Sequence, residues 1–271
     1  MDVILRNNVK VLGSQGPVLL FAHGFGCSQA MWSRVADAFA STHRLVLFDY
    51  VGSGGSDLAA FDPRRYAGLD GYARDLIEVC DALGLQGDVT LVAHSVSCSI
   101  GWLADIARPG LFGRMVLLGP TPCFLNHPPD YHGGFERDDL QGLLDLMDQN
   151  YMGWAQTLAP VVAGADGAGS VSTELADSFC STDPGVAKSF AQATFFADNR
   201  ADLAKVRCPS LILQHRDDAL APAGVGDYLQ AQLPNSRLQT LDVAGHCAHL
   251  SHPALVIEAL RGYLPAAPSA G

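Results

Sequence analysis

Short, fully apolar runs alternate along this chain with stretches whose apolar residues recur every three or four positions. The runs from Val18 to Ala22, Leu45 to Phe48, Val89 to Ala93, Met115 to Leu118 and Leu211 to Leu213 are continuous. Such runs predict parallel strands covered on both faces. Between them, Ser28 is a good N-cap for a helix reaching Phe39. From Leu69 to Leu83, the residues Leu69, Tyr72, Leu76, Val79, Cys80 and Leu83 share one helical face, and Gly84 stops the helix. Another apolar helical run covers Ile100 to Ala107. This alternation predicts an α/β fold with a mostly parallel sheet flanked by helices.

The alternation breaks after Pro120. From about Thr121 to Arg200 the pattern is helical or irregular, with a small-residue loop at Gly164 to Gly169. Strand signals resume at Pro209. A helical insertion, residues 122–201, therefore interrupts one sheet-bearing unit made of residues 1–121 and 202–271. The small, Pro-rich end from Pro265 to Gly271 is expected to fray.

Composition narrows the function classes. A chain of 271 residues suits one α/β domain, and 48% hydrophobic against 17% charged residues excludes a disordered chain. The net charge of −11, with no basic cluster, argues against nucleic acid and anionic membranes as partners. The start, Met1 to Asn8, lacks the pattern of a secretory signal, and the longest apolar run, Pro17 to Ala22, is too short for a bilayer. A cytoplasmic location is expected. The seven cysteines are scattered singly, which predicts buried thiols and neither disulfides nor a structural zinc site.

The candidate chemistry starts at Val92-Ala93-His94-Ser95-Val96-Ser97-Cys98, between a buried strand and an apolar helix. A serine on such a turn is a nucleophile elbow: its hydroxyl stands above the sheet edge and the next N–H is free for an oxyanion. The competing role is an ordinary helix cap. The usual pattern is G-x-S-x-G, and Ala93 and Ser97 replace both glycines, so their bulk is expected to tilt the turn and slow catalysis. Serine needs a base. His246, in a loop after the apolar run from Leu238 to Val243, is the best candidate. His252 precedes Pro253 and reads as a helix-start residue. An acid must orient the base. Asp217 and Asp218 follow the run ending at Gln214, so the chain order is serine, acid, histidine, as α/β-hydrolases have it. One of the two acids is expected to be only a turn or cap residue. The loop His23-Gly24-Phe25-Gly26 lets backbone amides approach a ligand, so the amides of Phe25 and Val96 are the expected oxyanion hole. The Gly-rich loop from Asp49 to Asp57 lacks phosphate-binding spacing and reads as a structural turn. No metal or other cofactor is expected, because His246 is better explained as a catalytic base than as a partner of His249 and His252.

These residues, with HGFGCSQAMW (23–32), LFDYVGSGGSD (47–57), LDGYARDL (69–76), GGFERDDL (133–140), NYMGWA (150–155), FCSTDP (179–184), FFADNRADL (195–203) and GHCAHLSHP (245–253), give a nearly end-to-end resemblance. The chain resembles the RsbQ-type α/β-hydrolases, the group that includes the plant karrikin and strigolactone receptors. The resemblance implies Ser95 as nucleophile, Asp218 as acid and His246 as base. It also implies a V-shaped four-helix cap over an apolar pocket walled by Phe25, Phe124, Phe135, Trp154, Leu158, Phe179 and Phe195. The expected function is hydrolysis of a small apolar ester or lactone through an acyl-enzyme. The alternative is a ligand-sensing signalling protein with slow hydrolysis and a partner protein, which the resemblance suggests could be a phosphatase.

Overall fold

The apolar runs pair into one seven-stranded sheet in a computed structural model that describes residues 2–13 and 15–265. The tail beyond Pro265 lies outside the described residues. The strands are β1 (Lys10–Leu12), β2 (Val18–Ala22), β3 (Arg44–Leu47), β4 (Val89–His94), β5 (Arg114–Leu118), β6 (Ser210–Asp217) and β7 (Ser236–Ala244), in the order β1-β3-β2-β4-β5-β6-β7. Only β1 is antiparallel. This is the α/β-hydrolase fold.

Alternate residues of each run feed two cores. Leu19, Phe21, Leu45, Val92, Val116, Leu211 and Leu213 pack on one face. Leu20, Ala22, Val46, Leu91, Ala93, Met115 and Ile212 pack on the other. Because helices cover both faces, no polar alternation is left for the sequence to show. On one side lie α1 (Leu69–Ala82) and α2 (Val96–Ala107), which pack together. The later helices of the sheet unit are α7 (Ala223–Gln232) and α8 (Pro253–Tyr263), the latter beginning after His252.

Two local elements differ from expectation. The segment from Ser28 to Phe39 is not one helix: a 3₁₀ turn at Gln29–Trp32, one α-turn at Ser33–Ala36 and a second 3₁₀ turn at Asp37–Phe39 succeed one another. Met31, Trp32, Val35, Ala36 and Phe39 are all buried, so tertiary packing sets the path over helical periodicity. Strand β1 carried no sequence signal, because its three residues are all exposed and have no buried face.

Four helices separate β5 from β6: α3 (Arg137–Gln149), α4 (Tyr151–Ala163), α5 (Ser170–Cys180) and α6 (Pro184–Phe195). Helix α4 packs on α3 and α5, and α3 packs on α6. The ends of this insertion meet. Cys123 bridges Asp198, and the Asn199 N–H donates to the Pro122 carbonyl at 2.8 Å. Among the described residues no helix is long and apolar enough to cross a membrane.

Candidate active site

Strand β4 ends in six buried residues and turns abruptly into α2. Ser95 sits on that turn with φ 57° and ψ −126°, one of only two non-glycine residues with positive φ among those described. Such a backbone costs on the order of 1–3 kcal/mol and persists only where flanking elements impose it. Here the Ser95 N–H donates to Leu118 O on β5 and the Cys98 N–H to Ser95 O, both at 2.9 Å. The Ser95 hydroxyl does not cap the helix. It meets His246 Nε2 at 2.8 Å.

His246 follows β7 and hangs from the insertion: its N–H donates to Val162 O of α4 at 2.8 Å. Gly245, with φ 123°, makes this approach possible, since a Cβ there would lie 2.1 Å from the Ala163 carbonyl oxygen. His246 Nδ1 donates to Asp218 Oδ2 at 2.7 Å. The geometry thus separates the two neighbouring acids. Asp218 is buried beside the histidine, whereas Asp217 is exposed and offers its carbonyl to the Gly245 N–H. Burial by itself would raise the Asp218 carboxyl. The charge of His246 and the N–H of His215 outweigh it and hold the group far below the usual carboxylate range.

Further imidazoles and thiols surround this chain of contacts. His94 is buried and donates from Nε2 to His246 O at 3.0 Å, so it supports the backbone of His246. Burial, then the neighbouring His249 and His246, hold His94 well below its ordinary pKa, which keeps it neutral beside His246. Burial pushes the Cys27 thiol up to about 12 and the Cys247 thiol well above its ordinary value, so neither supplies a thiolate beside Ser95. Ligand atoms of His94, Cys247 and His249 lie within 4.8 Å of one another, as do those of His215, Asp218 and His246. These two groups, and Cys123 with His127 and Asp198, could each hold a metal ion. His252 belongs to none of them.

The loop from His23 to Gly26 lies against the elbow. A Cβ on Gly24 would stand 2.6 Å from His94 Nδ1 and 3.3 Å from Ser95 Cβ. Phe25 projects into an aromatic cluster, with ring centroids 5.8 Å from Phe195 and 6.4 Å from Phe179. Val96 opens α2, so its N–H is one that helix geometry leaves unbonded.

Ser97 does not behave as an intruder at a glycine position. Its hydroxyl donates to the His23 carbonyl at 2.5 Å, and that uses its single proton. The Tyr50 hydroxyl must then donate to Ser97, 2.9 Å away. His23 completes the lattice: its Nε2 accepts from the Tyr50 N–H and its Nδ1–H donates to Gly24 O, in the neutral form that burial favours. The serine therefore ties the elbow to the loop that carries Phe25, and Ala93 fits the sheet without exposure. The opposite of the handicap expected from crowding is therefore predicted. Ser97→Gly will strand two buried polar groups, lowering stability by about 2 kcal/mol, and is expected to lower ester turnover roughly tenfold by loosening the loop that carries Phe25. Thermal melts and p-nitrophenyl acetate kinetics on the single variant check this.

A narrow cavity of about 40 Å³ opens onto Ser95 and His246. Phe25, Phe124, Phe135, Leu158, Phe179 and Phe195 line it, and Trp154 does not. The Trp154 ring stacks on Tyr151 at 5.4 Å and leans on Phe179 and Phe25 from behind, so it backs the wall. Sequence reading missed several wall residues, including Leu140, Val162, Leu175 and Thr194. Ordinary helical spacing gives no sign of which buried face looks onto a cavity and which onto core.

The family model described as "Alpha/beta hydrolase family" matches residues 19–259. Strigolactone esterase D14 of Arabidopsis thaliana is 38% identical over 265 residues, covering 97% of this chain and 98% of that protein. Karrikin insensitive 2 receptor CA of Petunia hybrida is 36% identical and covers 94% of each chain. The solved structure of a hydrolase from Oleispira antarctica superposes with a TM-score of 0.94 at 45% identity, covering 97% of this chain and 96% of that one. With its sheet order and its serine on a strained strand-to-helix turn, the chain belongs to the alpha/beta hydrolase family.

Proposed function

We propose that the protein is a serine esterase of the RsbQ type, acting on a small apolar ester or lactone through an acyl-enzyme. The observation that carries this reading is the unbroken chain from Ser95 Oγ to His246 Nε2, at 2.8 Å, and from His246 Nδ1 to Asp218 Oδ2, at 2.7 Å. In the first step His246 Nε2 takes the Ser95 proton as Oγ attacks the carbonyl carbon. Asp218 stays ionised and stabilises the imidazolium. The amides of Phe25 and Val96 hold the oxyanion, and each such donor contributes on the order of 3 kcal/mol. His246 then gives the proton to the leaving oxygen, and water repeats the sequence on the acyl-enzyme.

Residues 122–201 act in this reading as a lid on a core formed by 1–121 and 202–271. Its aromatic wall favours apolar groups, and its small volume favours short ones. A receptor role with slow turnover is the second reading. Two facts favour it: relatives carry receptor names, and the base hangs by its own N–H from lid helix α4, so a ligand that shifts the lid would be felt at His246. A signalling partner would then read the lid, and cytoplasmic location suits either role.

Turnover separates them. With p-nitrophenyl acetate in excess, an esterase gives a burst of one p-nitrophenolate per protein and then many turnovers, faster for acetate than for octanoate. A burst followed by silence would favour the receptor role, and the absence of both would count against either.

A further inference from the structure

Asp218 serves a second imidazole. Its Oδ2 accepts from His246 Nδ1 at 2.7 Å and also from His215 Nδ1 at 3.2 Å. Its Oδ1 accepts the Leu220 N–H at 2.9 Å and the Ala221 N–H at 3.2 Å. Four donors thus saturate one buried carboxylate. His215 is wholly buried and lies three residues before Asp218 on β6. In a regular strand an odd separation puts two side chains on opposite faces. Asp218 lies one residue beyond the end of β6, where the chain leaves the strand and its alternation, and both groups are buried.

The space for two imidazoles is built as well. The rings of His215 and His246 stand nearly perpendicular, 77° apart with centroids at 6.4 Å. Both edges meet over Gly119, whose φ is 58°. A Cβ there would lie 3.1 Å from His246 Cε1 and 3.4 Å from His215 Cε1. An ionised carboxylate only accepts, so His215 carries its proton on Nδ1. Its Nε2 has no hydrogen-bond partner among the described residues. The one bond that justifies burying this imidazole is therefore the bond to Asp218.

We propose that His215 is a positioning residue of the triad: it pins Asp218 Oδ2 so that His246 keeps its Nε2 aimed at Ser95. This rests on the proposed esterase reading. His215 moves no proton in the cycle; the Ser95 proton travels through His246 Nε2 alone, and the protonation of Asp218 and His215 stays unchanged. Without His215, the carboxylate can swing about its Cβ–Cγ bond, and the base loses part of its orientation.

The test uses full-length protein with p-nitrophenyl acetate. His215→Phe keeps the ring and removes the donor, and His215→Asn keeps an amide N–H near the Nδ1 position. His215→Phe is expected to lower kcat roughly ten- to hundredfold, the range of a hydrogen bond to a charged group, with KM within about twofold. His215→Asn should recover most of the loss. The far-downfield proton resonance of the His246–Asp218 bond should broaden or shift in His215→Phe and persist in His215→Asn. If His215→Phe does not fold, His215→Leu replaces it. A folded Phe or Leu variant with parental kcat, or an Asn variant as impaired as they are, overturns the proposal. Should Ser95→Ala leave turnover intact, the esterase reading itself fails, which is a separate result.

Discussion

Ser95→Ala will abolish hydrolysis of p-nitrophenyl acetate, with a loss on the order of 10⁶-fold in kcat if the three residues act as a unit. The expected size follows from what the side chain alone supplies. The hydroxyl is the only nucleophile at the 2.8 Å contact with His246 Nε2. The nearby thiols of Cys27 and Cys247 are held protonated by burial. Activity that remains would come from binding and oxyanion donors acting on water, so it should not show a burst. Because the strained turn is set by the backbone bonds to Leu118 and from Cys98, alanine should fit it at a similar cost. The variant is expected to melt within a few degrees of the parent. Steady-state and burst kinetics on the folded variant measure this.

Asp218→Asn will lower kcat on the order of 10⁴-fold, while Asp217→Asn will change it less than about twofold. An amide at position 218 can offer an N–H where the carboxylate accepted one, which favours the wrong tautomer of His246 and removes the charge that stabilises its imidazolium. Its single carbonyl oxygen would also be left facing four N–H donors, from His246, His215, Leu220 and Ala221. Asp217 is exposed, and the site uses only its backbone carbonyl, toward Gly245. Asparagine leaves that carbonyl in place. Paired kinetics on the two neighbours decide between them, and the reverse ranking would mean that the wrong acid has been assigned.

How much of this was readable in the chain depends on the range of the interaction. The central strands were legible because burial on both faces leaves unbroken apolar runs. The elbow was legible because Ser95 falls where such a run gives way to an apolar helix, with an acid and a histidine following in chain order. The choice between Asp217 and Asp218 is not legible from spacing alone, since it depends on where β6 ends and the chain turns: Asp217 closes the strand exposed and Asp218 follows it buried. The same strand end hides His215, which unbroken alternation would put on the face opposite Asp218. The partners of Ser97 are illegible for a different reason. Its partners, the His23 carbonyl and the Tyr50 hydroxyl, lie 74 and 47 residues away, and a rule about local crowding cannot see them. The resemblance implies Trp154 in the pocket wall, yet the ring stacks on Tyr151 and sits against Phe25 and Phe179 outside the cavity lining.

These distant partners bear on rate as well as on fold. The four donors on Asp218 and the Ser97 tie between the elbow and the loop that carries Phe25 are in place without substrate, and preorganised polar geometry is a large source of enzymatic acceleration. If both devices work in this way, a slow rate on simple esters would have to come from the lid and its narrow cavity, not from the catalytic groups.

The central claim, that Ser95 is the nucleophile, is tested most directly by site-resolved mass spectrometry after treatment with phenylmethanesulfonyl fluoride. The parent should gain one sulfonyl group per chain, mapped to Ser95, with activity lost in proportion to labelling. Ser95→Ala should gain none. A stoichiometric adduct on any other residue that tracks inactivation, or undiminished labelling of Ser95→Ala, would contradict the account.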